Sequence, residues 1–316
     1  MRGPELFRRL EGATSMLIAG AGGGFDVYGG LPLAFALRDA GRTVHLANLS
    51  FTDLAEVDPN GWIDEHVLAV TPGLEGPPHY FPEGALADWL DENDQPSTVY
   101  AFPRAGVRAL RSGYRTLIAK LGVDAIVLVD GGTDILLRGD EKGLGTPEED
   151  ATSLAAVAGL DEIAVRLAAS IGFGIDAFHG VNHVHVLENI AELDAAGAYL
   201  GAFSVPGWSS EARRYRDAVA HAAAHTPKRP SLVHGQIAAA LLGRHGHVRV
   251  GHRTRADDLF VNPLMAMYFT FDLPGLAARN AYLPTLEDTA SMSDTLHRIG
   301  AYRARATLRE PRAFPH

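Results

Sequence analysis

Short, unbroken apolar runs alternate with longer helix-period segments along most of this 316-residue chain, and no other feature constrains its fold as much. The runs at residues 15–19, 43–47, 66–70, 98–102, 125–129, 172–175 and 199–205 are rich in Val, Ile, Leu and aromatic side chains. Several lack polar alternation, as strands buried on both faces do. Helical patterns fill 28–40, 83–92, 105–121, 147–170, 185–196 and 209–225. This βαβα order predicts an α/β fold with a mostly parallel, helix-covered sheet in a Rossmann-like three-layer arrangement. After about residue 226 the pattern changes. Residues 231–242 read as a helix, 248–250 as a short strand and 263–271 as an apolar helix. No low-complexity linker marks a boundary, so residues 1–316 are expected to form one domain, with 226–316 as a C-terminal cover or lid.

Charge narrows the function classes. With 28 basic and 38 acidic residues the formal charge is −10, which offers no general attraction to nucleic acid or anionic lipid. Cysteine is absent, which removes disulfides, thiolate metal sites and a cysteine nucleophile together, and suits a reducing cytoplasm. The first residues carry charge on both sides of a short apolar stretch, unlike a signal peptide. The longest weakly charged run, 13–37, contains Asp26 and several glycines, so a membrane span is not expected there. A cytoplasmic protein with a small-molecule partner is the expectation; homo-oligomerisation is left open.

The first apolar run leads into Gly20-Ala21-Gly22-Gly23-Gly24-Phe25-Asp26-Val27-Tyr28-Gly29-Gly30. Glycines after a first strand let backbone approach a ligand, and the next helix offers unpaired N–H donors. Gly22, Gly23 and Gly24 are therefore candidates to hold phosphate or carboxylate, with a ligand-free tight turn as the alternative. Two familiar motifs fail. Counting from Gly20, the last glycine of G-x-G-x-x-G is replaced by Phe25, and the second run ends in Asn48-Leu49-Ser50, with no acid for a ribose. Gly24-x4-Gly29 continues with Gly30-Leu31 where a P-loop carries Lys and Ser or Thr. There is thus no NAD or P-loop signature. Asp26 beside an anion loop would repel a bare phosphate, so a cation lies between them or Asp26 binds an amine or hydroxyl.

Two more acidic groups follow apolar runs: Asp130-Gly131-Gly132-Thr133-Asp134, and Asp176 with His179, His183 and His185. In an open parallel sheet the C-terminal strand ends lie along one edge, where ligands bind. Asp26, Asp130, Asp134, Asp176 and His179 are then expected to converge. Gathered carboxylates need a metal, a cationic ligand or shared protons. Asp26, Asp130 and Asp134 are the candidate ligands for a divalent cation, Mg²⁺ or Mn²⁺. Asp130, Asp134, His179 and His183 are the candidate catalytic groups. Gly131, Gly132 and Thr133 are candidate ligand contacts. The loop 138–145 reads as a mobile surface loop that could close on substrate, with Arg138 meeting an anionic group or simply solvated. Thr146-Pro147 followed by Glu148, Glu149 and Asp150 reads as helix initiation, with Thr146 as N-cap and Glu149 completing a capping box. Ser231 and Asn262 also read as helix caps.

GAGGGFD, DGGTD, the GDE–LGTPEED stretch and FHGVNHVHVLENI together resemble an uncharacterised bacterial and archaeal family, the domain of unknown function numbered eleven fifty-two, over residues 16 to 272. The resemblance implies a shared fold and a shared site near Asp26, Asp130, Asp134 and His179, and transfers no activity. Taken together, the residues suggest a hydrolase or group transferase acting on a small anionic metabolite, such as a nucleotide or amino-acid derivative. A non-catalytic metabolite sensor and a partner-assembly protein are the alternatives.

Overall fold

Strand β1 (Ser15–Gly20) is buried along its whole length, and its side chains alternate between two separate cores. Leu17 and Ala19 join one apolar cluster, while Met16 and Ile18 join the other. Strand β6 (Ala125–Asp130) repeats this, with Ile126 and Leu128 on one face and Val127 and Val129 on the other. A period of two with apolar residues at every position requires cover on both sides. The result is a three-layer α/β molecule. The computed structural model describes residues 3–248 and 260–314.

The remaining strands are β2 (Thr43–Leu49), β3 (Trp62–Asp64), β4 (Val67–Val70), β5 (Val99–Phe102), β7 (Val165–Ile171), β8 (Tyr199–Ser204), β9 (Gly246–His247), β10 (Phe260–Val261) and β11 (Met267–Asp272). The helices are α1 (Glu5–Arg9), α2 (Leu31–Asp39), α3 (Pro82–Glu92), α4 (Val107–Leu121), α5 (Pro147–Ala158), α6 (His183–Ala195), α7 (Ser210–His225), α8 (Leu232–Leu241), α9 (Leu273–Arg279) and α10 (Met292–Arg303). Nine strands form one sheet in the order β3-β4-β5-β2-β1-β6-β7-β11-β8, and β9 pairs with β10 alone. The centre, β5-β2-β1-β6-β7, is parallel. Antiparallel strands complete both edges. The chain runs outward from β1 to β2 and β5, then returns to β6 on the other side of β1. That reversal opens a crevice beyond the C-terminal ends of β1 and β6.

Three elements differ from the sequence expectation, the first being the run at 172–175, which lies beyond the end of β7 in a turn where Gly172 and Gly174 take positive φ. The segment 147–170 is not one helix: α5 ends at Ala158, Gly159 and Asp161 occupy the turn region, and β7 begins at Val165. The apolar stretch expected as a helix at 263–271 is a short turn, Pro263–Ala266, followed by strand β11 between β7 and β8. Apolar runs of that length do not distinguish strand from helix. The C-terminal region thus covers the sheet with helices and also supplies a strand to it. Of the strand expected at 248–250, positions 249 and 250 lie outside the described residues. Among the described residues no helix is long and apolar enough to cross a membrane.

Candidate functional site

The crevice collects carboxylates from four separate chain segments. Asp26 begins the short turn Asp26–Gly30 that follows β1, and Asp130 is the last residue of β6. Asp176 lies on the turn Ile175–His179 beyond β7. Asp150 comes from the first turn of α5, whose Ser153 donates to the Ala21 carbonyl at 2.7 Å and seats the helix against the glycine-rich loop. Asp26, Asp130 and Asp150 each offer an oxygen to a group whose members lie within 4.8 Å of one another. Asp130 Oδ2 and Asp150 Oδ1 are buried and have no hydrogen-bond partner, and each residue is only 3% exposed.

Burial dominates the electrostatics. It pushes Asp26 up to about 7, with the Asp134 carboxylate adding to the effect and the Gly22 and Gly131 backbone N–H groups opposing it. Asp130, Asp150 and Asp176 are raised well above the usual carboxylate range by burial first and by their acidic neighbours second. Asp134 is also raised by burial, against the backbone N–H of Thr146 and the nearby His179. Two ionised carboxylates at 4 Å repel by about 4 kcal/mol at an effective dielectric of about 20. Such a group needs a cation or bound protons, and its open oxygens are the donors that Mg²⁺ and Mn²⁺ prefer.

The glycines serve this cluster more than they serve an anion. Gly22 N–H donates to Asp26 Oδ2 at 2.6 Å, and Gly24 N–H donates to the Leu49 carbonyl at 3.1 Å. Two of the three N–H groups expected to cradle phosphate are therefore engaged inside the protein. A Cβ on Gly22 would lie 2.7 Å from Asp26 Oδ2 and 3.0 Å from Asp150 Oδ1, so the missing side chain makes room for the acids. Gly23, at φ +85°, packs its backbone under Phe51, where a Cβ would approach within 2.3 Å of the ring. Behind the loop, buried Asn48 donates to the Gly24 carbonyl and to Glu83, and Glu83 also accepts from Thr52. Thr133 donates through its N–H and hydroxyl to Asp176, and a Cβ on Gly132 would collide with that carboxylate. Gly132 and Thr133 thus hold Asp176, while Gly131 lines the crevice.

Asp134 does not join the close trio. Its Oδ2 accepts from the Thr146 N–H at 2.9 Å and from the Thr146 hydroxyl at 3.3 Å. Thr146 consequently makes no side-chain cap for α5, contrary to the capping expectation, and Glu149 pairs with Arg104 at 2.9 Å. The structure keeps Arg138 out of the crevice: its guanidinium binds Asp140 and lies 3.8 Å from Glu192. His183 faces the Gly174 carbonyl at 3.3 Å and packs on Phe173, so among the described histidines only His179 lines the crevice. The loop expected to be mobile is pinned. Fully buried Glu141 accepts from the Arg138 and Gly139 N–H groups, Asn189 and Arg309, and Arg303 donates to the Glu141 and Lys142 carbonyls.

The crevice encloses about 420 Å³, within the range of small-molecule sites. It is lined by Asp26, Asp130, Asp134, Asp150, Asp176 and His179, together with Phe51, Tyr80 and Arg229. Sequence reasoning missed Asp150, Phe51, Tyr80 and Arg229. Only Asp150 left a signal: it shares the spacing of Ala151, Leu154 and Ala155, the buried face of α5. A family model described as "Protein of unknown function (DUF1152)" matches residues 86–306. The chain belongs to this family. The matched segment contains Asp130, Asp134, Asp150, Asp176, His179 and Arg229, while Asp26 and the glycine-rich loop of this DUF1152 member lie before it. No curated protein and no solved structure matches the chain.

Proposed function

We propose that this protein is a divalent-cation-dependent hydrolase or group transferase acting on a small anionic metabolite. The observation that carries the reading is the convergence of Asp26, Asp130 and Asp150 within 4.8 Å, two of them with buried oxygens that no protein group satisfies. A bound Mg²⁺ or Mn²⁺ would compensate these charges and supply Lewis-acid polarisation of a substrate or water oxygen. The chain's own groups do the rest. Gly22 orients Asp26 through its N–H, and Thr146 orients Asp134. His179, exposed on the rim next to Asp134, is placed to exchange a proton between the site and solvent. The pinned loop at Glu141 favours a preformed site over the sensor reading, which relied on that loop moving.

Substitution of Asp130 tests the proposal. Asp130→Asn preserves shape and removes one open carboxylate. We expect the wild-type protein to bind Mn²⁺ by titration calorimetry and to turn over at least one member of a panel of phosphorylated and acylated metabolites, and the variant to lose both. A variant that binds Mn²⁺ and turns over like the wild type refutes the assignment.

A further inference from the structure

The crevice continues into a second hollow of about 410 Å³, and the two share Phe51, Tyr80 and Arg229. The outer hollow is also lined by Thr52, Asp53, Glu56, His79 and Lys228. Among the described residues Arg229 is the only lysine or arginine lining the acidic chamber, and it also lines the outer one. Neither Arg229 nor Lys228 has an ion-pair partner among the described residues, although Asp53 and Glu56 share the outer hollow. Asp53 is turned toward its own backbone, accepting from the Ala55 N–H at 3.1 Å. Two residues after Arg229, Ser231 caps α8, and Ser231 lines the acidic chamber with Leu232 and Val233 of the helix's first turn. The positive end of that helix therefore faces the same space as the guanidinium.

We infer that Arg229, supported by Lys228 and the first turn of α8, is the anion-recognition subsite, and that the substrate is a phosphorylated metabolite. Its phosphate lies between the two chambers and its reacting end reaches Asp26, Asp130 and Asp150. This rests on the metal-dependent reading above and supplies the part that the glycine-rich loop does not. A phosphate entering the inner chamber meets Asp26, Asp130, Asp134, Asp150 and Asp176, and one divalent ion does not neutralise them all. Arg229 is the point at which a dianion is tolerated beside them. The sill formed by Phe51 and Tyr80 lies against the intervening part of the ligand. Phe51 is 41% exposed, held from one side by Gly23 and overlain by the Arg104 guanidinium 5.0 Å from its centroid.

The test uses the full chain and inorganic pyrophosphate as probe, titrated calorimetrically in EDTA and again with Mn²⁺. Arg229 and Lys228 are both exposed, so the double variant R229Q/K228Q is expected to keep the wild-type thermal midpoint. Pyrophosphate should bind the wild type and bind the double variant about tenfold more weakly or worse, as expected when charge-assisted contacts are lost. Asp130→Asn should keep pyrophosphate binding in EDTA while losing Mn²⁺. Retained pyrophosphate selectivity without Mn²⁺ binding would leave this subsite standing and remove the metal-dependent reading. Wild-type and double-variant affinities that agree, or no pyrophosphate binding under either condition, overturn the subsite. Tighter binding of the polycarboxylate tricarballylate overturns the phosphate assignment, and preferential binding of spermidine overturns the choice of an anion.

Discussion

Raising the pH in the absence of divalent cations should destabilise this protein. Asp26 has an ordinary carboxylate value when unfolded and is pushed up to about 7 when folded, with burial as the main cause. Its folded form therefore binds a proton more tightly than its unfolded form. That contribution is fully present above the folded value as a penalty and is absent below the unfolded one, so stability falls as pH rises from about 4 to about 7. Between about pH 5 and pH 7.5 the loss from Asp26 alone comes to roughly 2–3 kcal/mol. At about 2.1 cal/mol/K of unfolding entropy per residue, a chain of 316 residues loses about 4 °C of thermal midpoint for that change. Asp130, Asp150 and Asp176 shift in the same direction and steepen the fall. The assay is a thermal melt by circular dichroism in EDTA at half-unit pH steps, for the wild type and for Asp26→Asn, which cannot titrate. The same series with Mn²⁺ should be flatter, because the ion favours the deprotonated cluster. A midpoint that rises over this window in EDTA, or an Asp26→Asn slope equal to the wild type, refutes the electrostatic account.

Other perturbations probe separate parts of the structure. Asp150→Asn removes an unpaired buried carboxylate, so in EDTA near neutral pH the variant should melt at or above the wild-type temperature, while its Mn²⁺-induced rise disappears in the same scan. Glu141→Ala leaves Arg309 and Asn189 without their buried acceptor and should cost about 3–5 kcal/mol by urea unfolding, compatible with breaking a buried ion pair. Gly23→Ala combines a φ of +85° with a Cβ placed 2.3 Å from Phe51, and should lower stability by about 1–3 kcal/mol in the same assay. His179→Gln should reduce turnover about 10²–10⁴-fold, the usual contribution of acid–base transfer, and leave the Mn²⁺ affinity unchanged.

The parts of the site that were legible in the sequence are those fixed by topology. Asp26, Asp130 and Asp176 each follow an apolar run, and a parallel sheet brings the ends of such runs to one edge whatever the intervening residues are. Asp150 was obscured by a locally complete explanation. Three acids after Thr146-Pro147 satisfy the positive end of a helix, and that explanation masked the helical spacing that places Asp150 with Leu154. The loop after Asp134 was misread for the opposite reason. Its glycines and charges look mobile locally, but Glu141 meets Asn189 and Arg309, which lie 48 and 168 residues away in sequence. β11 was read as helix because its apolar run offers no period to choose by, and its place between β7 and β8 depends on partners no local pattern encodes.

The hydrogen bonds around the acids show how the glycine-rich loop serves buried carboxylates. A buried carboxylate at a strand end needs donors that add no competing positive side chain, and backbone N–H groups meet that requirement. Gly22 gives its N–H to Asp26, Thr133 gives its N–H to Asp176, and Thr146 gives its N–H to Asp134. In each case a neutral dipole fixes a carboxylate and leaves the cluster's net charge almost unchanged. Lysine or arginine in those places would have neutralised the acids and made a stabler core with no demand for a ligand. The cluster instead keeps Asp130 Oδ2 and Asp150 Oδ1 open, and Arg229, which has no ion-pair partner among the described residues, stands apart from it in the same chamber. Separated charges of this kind suit a ligand with two ends, one delivered to a cation-loaded acid cluster and one held by the guanidinium. Placing a positive side chain at Gly131, where a Cβ would lie 2.9 Å from Asp26 Oδ1, should therefore remove both Mn²⁺ binding and turnover in Gly131→Lys. A variant that remains fully active would show that the open carboxylates have no part in the chemistry.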